Sequence, residues 1–274
     1  MRFIRRNPSL MIGAVLVALI IVMALVATVW TPYVPTKMAM QARLQAPSAA
    51  HWMGTDQFGR DILSQVMVGA GNALQIAVLA VLIGAGIGTA VGLVAAAVGG
   101  WTEELLMRLC DFAYAFPAVL LAIVIAALVG VGATTTILAI AIFTIPVFGR
   151  LARGAALEVM GRSFIMAARL NGRGLPHILL RHVLPNIAGL LIVQVSTQIA
   201  LAIIVEAGLS YLGIGLQPPA ISWGKMLADA QTQMSNMPTL AIFPGLMIAL
   251  AVLGFNLLGD GLRDLLDPRL RRAR

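Results

Sequence analysis

The chain is short of nearly everything from which a soluble enzyme is built. Charged residues fill 11% of its 274 positions, against roughly 25% in an ordinary soluble domain. A single cysteine, Cys110, excludes any disulfide framework within the chain. The three histidines, His51, His177 and His182, are scattered and form no ligand set of the kind a metal site needs. No Gly-x-x-x-x-Gly-Lys-[Ser/Thr] segment occurs, which excludes a P-loop and with it ATP hydrolysis by this chain alone. A nucleophile–base constellation is equally lacking, so the chain does not read as an intramembrane enzyme. Its apolar runs carry almost no ionisable residues beyond Asp111 and Glu206 near their ends. An ion-coupled secondary transporter would need more.

What remains is apolar surface. Hydrophobic residues make up 60% of the chain and the mean hydropathy is +0.94, the composition of a polytopic membrane protein. A span needs about 20 mostly apolar residues. Six segments qualify: Leu10–Trp30, Asn72–Val98, Leu106–Val129, Thr135–Phe148, Ile187–Ala207 and Pro238–Leu258. The fourth is short, and its Pro146 is expected to kink or end it. The first follows a basic N-terminus (Arg2, Arg5, Arg6) but is too long for a signal-peptide core and lacks a small-residue cleavage site. It reads as a retained signal anchor. Two units follow: residues 1–71, the anchor with the segment after it, and residues 72–274, a core of five helices. In the second span Gly84, Gly88 and Gly92 repeat every four residues, a spacing that lets another helix approach closely. The 14 methionines are ordinary filler of apolar helices.

The net charge of +8 is not spread as nucleic-acid binding would require. With six spans, one side of the membrane holds Arg2, Arg5, Arg6, Arg108, Arg150, Arg153, Arg162, Arg169, Arg173, Arg181, Arg263, Arg269, Arg271, Arg272 and Arg274. The other holds Lys37, Arg43, Arg60 and Lys225. Fifteen against four orients the chain with both termini and the 150–186 connection in the cytoplasm.

One insert is too polar for lipid. Residues 161–186 carry Arg162, Arg169, Arg173 and Arg181 between two apolar spans. Ser163–Leu170 is helix-prone with Ser163 as N-cap, Gly172 and Gly174 break it, and Pro176–Leu180 begins a second helix. Leu184-Pro185 ends the insert and starts the fifth span. The small pair Ala167-Ala168 allows a partner surface to come close, and Gly172 permits the tight turn. Such a helix-turn-helix lying along the cytoplasmic face is a handle for a separate engine.

Other polar residues have two readings each. Asp56, Arg60 and Asp61 form an ion-pair network or hold a cation. Glu206 meets a cargo ammonium or a cation in the pathway, or caps and pairs at the rim. Asp260, Arg263 and Asp264 have the spacing of a pair on one helix face. Asp111 is interfacial.

The insert resembles the coupling loop of permease subunits in ATP-binding-cassette (ABC) importers, with Ala167, Ala168, Gly172, Leu184 and Pro185 at matching positions. Met166 stands where that family has Glu, and His182 where it has Ile. The run Arg169 and Arg181-His182-Val183-Leu184-Pro185-Asn186 is similar to the dipeptide/oligopeptide/nickel branch. His51–Asp61, with Gly54-Thr55-Asp56 and Gly59-Arg60-Asp61, looks like the signature of its C-type subunit. Glu206–Pro219 with Ser222-Trp223-Gly224, and Gly259–Arg269, resemble the same branch, so the likeness runs from about Arg5 to Arg269. It implies an all-α, six-span, type I ABC importer permease with a coupling-helix loop formed by Met166, Ala167, Ala168, Arg169, Gly172, Arg173, Arg181, Leu184 and Pro185. It further implies a B-type permease partner, two cytoplasmic ATPase subunits that hold ATP and Mg, and an extracytoplasmic binding protein. This chain is then expected to bind no cofactor itself and to sit in the inner membrane. Small peptides are the first expectation for cargo, with nickel chelate, glutathione or opine as alternatives.

Overall fold

The computed structural model describes residues 8–266. The basic residues Arg2, Arg5 and Arg6, and Arg269, Arg271, Arg272 and Arg274 with Asp267, lie outside that range. Helices account for most of the described residues: α1 (Pro8–Val29), α2 (Ile62–Val98), α3 (Gly100–Ala115), α4 (Ala118–Val129), α5 (Ala133–Met160), α6 (Ser163–Leu170), α7 (Leu175–Ile178), α8 (Leu184–Tyr211), α9 (Trp223–Ala230) and α10 (Thr239–Leu266). Five helical stretches are long and apolar enough to cross a membrane, and α3 with α4 makes a sixth when counted as one bent span.

Several expected spans change shape. The third is broken: α3 and α4 meet at 89°, because Pro117 follows Phe116 and the residue before a proline is pushed out of the helical region. The fourth is not short, and Pro146 does not end it. The helix α5 runs on for 28 residues with Pro146 buried inside, as membrane helices tolerate where neighbours cover the freed carbonyl. Its far end is polar, and Arg150 and Arg153 pair there with Asp111 and Glu103 of α3. The second span starts ten residues early, at Ile62, and runs unbroken through residues 71 and 72, where the sequence divided the chain.

Between helices in lipid there is no hydrophobic drive to association, so close packing must hold them. The four-residue glycine repeat of α2 lies directly on α5: Gly84 meets Ala141 and Thr144, Gly88 meets Ile145 and Phe148, and Gly92 meets Gly149 and Ala152. A side chain at any of these would drive the helices apart. The first helix, α1, packs on α10 in the same way, with Gly13 against Leu257 and Leu258, and Gly254 and Gly261 against Leu16 and Leu10. The core between α1, α2, α8, α9 and α10 is filled by Ile20, Val66, Ala73, Ala77, Ile203 and Trp223.

Candidate functional site

Two polar assemblies sit at opposite ends of this bundle. The first is the insert, which forms an arm. Its helix α6 covers Ser163–Leu170, and its N-cap position is Arg162 rather than Ser163. The Arg162 backbone is extended and its guanidinium pairs with Glu158 at 2.9 Å, so no side chain caps the helix. At the other end Asn171 donates its side-chain amide to Ala167 O at 2.9 Å. The Arg173 N–H then returns to Ala168 O and the Gly172 N–H to Arg169 O, at 3.1 and 2.9 Å. This double closure requires a left-handed residue, and Gly172 supplies it with φ +73°.

Two isoleucines tie the arm down. Ile165 of α6 and Ile178 of α7 are buried with Leu93 and Ala96 of α2 and Ala152, Ala156 and Val159 of α5. The opposite side of α6 is open: Met166, Ala167, Arg169 and Leu170 are exposed, Leu170 at 85%, while Ala168 is half-buried. Gly172, Arg173, Arg181 and Pro185 are exposed and Leu184 half-buried. Among the described residues no carboxylate lies within 4 Å of Arg169, Arg173 or Arg181. The arm therefore presents apolar side chains flanked by three unneutralised cations. The second helix begins at Leu175, one residue before the expected Pro176, and does not end within the arm: a π-helical turn, Leu179–Val183, joins α7 directly to α8.

The second assembly is a knot built from His51–Asp61. Asp61 caps α2, accepting from Ser64 N and Ser64 Oγ at 2.8 and 2.7 Å, and its other oxygen meets His51 Nδ1 at 2.9 Å. Asp56 accepts from the N–H groups of Phe58 and Arg60 at 2.8 and 2.9 Å, from Arg60 Nε at 2.6 Å and from Gln65 Nε2 at 3.1 Å. Thr55 is fully buried; its hydroxyl donates to Ala42 O and accepts from Gln45 N–H. Gly54 and Gly59 take φ +81° and +74°, with Gly59 lying on the backbone of Ala39. Arg60 reaches on to Asp229 of α9 at 3.6 Å, and Asp229 also pairs with Lys225 at 2.8 Å. Every oxygen of Asp56 and Asp61 is thus occupied by protein donors. Among the described residues no group of three His, Cys, Asp or Glu is placed to hold a metal ion.

Glu206 is fully buried. Ser210 Oγ donates to its Oε1 at 2.8 Å and accepts from Leu216 N–H at 3.1 Å, which pins the 212–222 return to the end of α8. Oε2 has no hydrogen-bond partner. The geometry is that of a pairing group at the helix end, facing no open surface. Asp260, Arg263 and Asp264 do not pair with one another; all three are exposed, where solvent screening leaves little to be gained by fixing long side chains.

Sequence reasoning missed the π-turn, the link from Arg60 through Asp229 to Lys225, and the stacking of Arg150 over Tyr114 at 4.3 Å. A signal for the first was present in Pro185, and the i,i+4 spacing of Lys225 and Asp229 was one for part of the second; Arg60 with Asp229 and Arg150 with Tyr114 are too distant in sequence to leave one.

A model of the family "binding-protein-dependent transport system inner membrane component" matches residues 88–272, and one for the "N-terminal TM domain of oligopeptide transport permease C" matches residues 1–47. The chain belongs to this family of inner-membrane transport components. Its similarity to glutathione transport system permease protein GsiD of Pectobacterium atrosepticum is 44% identity over 271 residues, 98% of this chain and 90% of that protein. With the protein of that name from Escherichia coli O157:H7 it shares 46% identity, covering 98% and 89%. A chain of the MetNI methionine ABC transporter in an inward-facing form superposes with a TM-score of 0.60 at 17% identity, covering 74% of this chain and 97% of that one, and shares its fold. The chain is a permease subunit of an ABC importer, a multi-pass inner-membrane protein with the helical architecture expected from its sequence.

Proposed function

We propose that this permease is the C-type half of a heterodimer, joined by a B-type permease, two cytoplasmic ATPases and an extracytoplasmic binding protein, and that it imports small peptides. ATP and Mg belong to the ATPases, and this chain contributes no catalysis. The distribution of arginines supports an orientation with the arm and both termini in the cytoplasm. The observation that carries the reading is the arm itself: Ile165 and Ile178 anchor it, while Met166, Leu170, Arg169 and Arg173 are exposed on its outer side, the arginines with no carboxylate within 4 Å among the described residues. Closure of the ATPases would push on that face, and α8, which continues from the arm, would carry the displacement into the bundle. The result is a shift between two global states, each open to one side.

Among peptides, glutathione is favoured by the similarity to glutathione transport system permease proteins. The test is reconstitution of the whole assembly in proteoliposomes with ATP inside and binding protein outside. Uptake of labelled glutathione and of a dipeptide is measured, with a nickel chelate and an opine as competitors. ATP-dependent uptake of glutathione or dipeptide is expected. Uptake confined to the chelate or opine would overturn the peptide reading, and uptake without ATP or binding protein would overturn the importer reading.

A further inference from the structure

The junction between arm and membrane is not an α-helix, and its geometry follows from three residues. The Leu184 N–H bonds to Leu179 O, five residues back, so Leu179–Val183 forms one wide turn. Pro185 is the cause. It has no N–H to give to Arg181 O, and in a regular helix its ring would press on that same carbonyl. Widening the turn relieves the clash. Asn186 completes the arrangement by donating its side-chain amide to His182 O at 2.7 Å.

The widening decides which way the arm faces. The buried residues across the junction are Ile178, Val183 and Ile187, at intervals of five and four. Four α-helical residues return to within about 40° of the starting face, but five leave a residue about 140° away. An unbroken α-helix that kept Val183 and Ile187 in the seam would turn Ile178 out of it. A π-turn places the fifth residue back on the same face, being in effect one residue inserted into an α-helix. So the wide turn is what lets Ile178 reach the pocket that Ile165 shares, and what fixes the outward direction of Met166, Leu170, Arg169 and Arg173.

We infer that Pro185 and Asn186 are positioning residues for energy coupling: they hold a one-residue helical offset that sets the rotational phase of the arm on α8. This rests on the coupling role proposed for the arm. Tightening the turn to an α-helix would rotate the arm by about 100° and advance it by about 1.5 Å, presenting the ATPase with the wrong face.

The test uses the complete transporter in proteoliposomes. Pro185→Ala is expected to lower ATP-dependent cargo uptake at least about tenfold, the size of an ordinary coupling free energy. Deleting the exposed residue Leu180 in the P185A background removes the inserted residue, restores the phase, and is expected to return uptake to the wild-type range. A loss of general structural integrity would not be repaired by a deletion. Spin labels at Leu170→Cys and Leu190→Cys, in a Cys110→Ala background, are expected to show a distance shift of several Å in P185A that reverses in the shortened variant. Wild-type uptake by P185A, or no recovery in the shortened variant, overturns the inference. If P185A alone does not accumulate, the shortened variant decides: recovery supports the phase argument and continued failure overturns it. Gly172→Trp is run in parallel. Normal uptake there defeats the coupling role itself, whereas uncoupled Gly172→Trp beside normal P185A defeats only the π-turn.

Discussion

The indole Nε1 of Trp223 donates to the backbone carbonyl of Val66 at 3.0 Å, joining α9 to α2 across 157 residues of sequence. The ring is fully buried and lies on Gly69, where an added Cβ would come within 2.7 Å of Cδ1. Two substitutions probe this contact from opposite sides. Gly69→Ala overpacks it, at a cost of about 1–3 kcal/mol. Trp223→Phe loses the hydrogen bond and some volume, also at about 1–3 kcal/mol. Because a smaller ring makes room for the new methyl, the double variant is expected to be more stable than the sum predicts. Thermal denaturation in detergent reads all three.

Asp61 and Asp56 carry different loads within one knot. Asp61→Ala removes the cap of α2 and uncovers His51, so a loss of about 1–2 kcal/mol is expected. Asp56→Ala leaves two backbone N–H groups, Arg60 and Gln65 without their acceptor, with an expected loss of about 3–5 kcal/mol from breaking a buried pair. Both are expected to lower thermal stability and binding-protein engagement while leaving the order of preferred cargoes unchanged. A change in that order at unchanged stability would instead give these acids a role in selection.

Gly172 separates arm folding from arm docking. An added Cβ meets no atom within 4 Å, yet φ is +73°. Gly172→Ala therefore costs about 1–2 kcal/mol of local backbone strain, confined to the exposed end of α6. Gly172→Trp adds bulk on an exposed turn where the first side-chain atom meets nothing among the described residues. It is expected to insert and pack normally and to lose ATP-driven uptake, because only a partner surface can feel the ring. The thermal midpoint of the bundle checks the first half of that expectation and the uptake assay the second.

How much of this was legible in the sequence follows from what hydropathy measures. It detects the part of a helix that lies in lipid, so α1 and the cores of α2, α8 and α10 were found. The start of α2 before Asn72, with its polar Ser64 and Gln65, and the arginine-bearing end of α5 beyond Phe148 were not, since those polar groups bond to neighbouring residues. Averaging over a window also hid the break at Phe116-Pro117, where only the proline marks the bend. Pro146 misled in the opposite direction: α5 runs on through it with the ring buried, which no local pattern reports.

The arm was legible because its turn chemistry is local. Asn171, Gly172 and Arg173 close α6 with bonds that span three to five residues, so the sequence alone delimits Ser163–Leu170. The register of its attachment was not, because a single inserted residue leaves the apolar pattern nearly intact. The intervals of Ile178, Val183 and Ile187 acquire meaning only once their common pocket against Ala152 and Ala156 is known.

Glu206 offers the last contrast, between a pathway acid and a structural one. Its Oε1 is held by Ser210 and its Oε2 has no partner, so an amide in the same place keeps the used acceptor and alters only the unused position. Glu206→Gln is accordingly expected to match the wild type in both thermal stability and uptake. Glu206→Ala takes away the acceptor, opens a cavity beneath the 212–222 return and is expected to cost about 2–4 kcal/mol. Ser210→Ala cuts the same chain of bonds at its middle, so the double Glu206→Ala/Ser210→Ala variant should lose less than the two singles together. Were Glu206→Gln to abolish uptake at unchanged stability, the carboxylate would have to meet cargo in another state of the transporter, and α8 would have to rotate to expose it. Accessibility of a cysteine at position 206 to a water-soluble thiol reagent, with and without ATP, distinguishes the two: a structural acid stays protected in both.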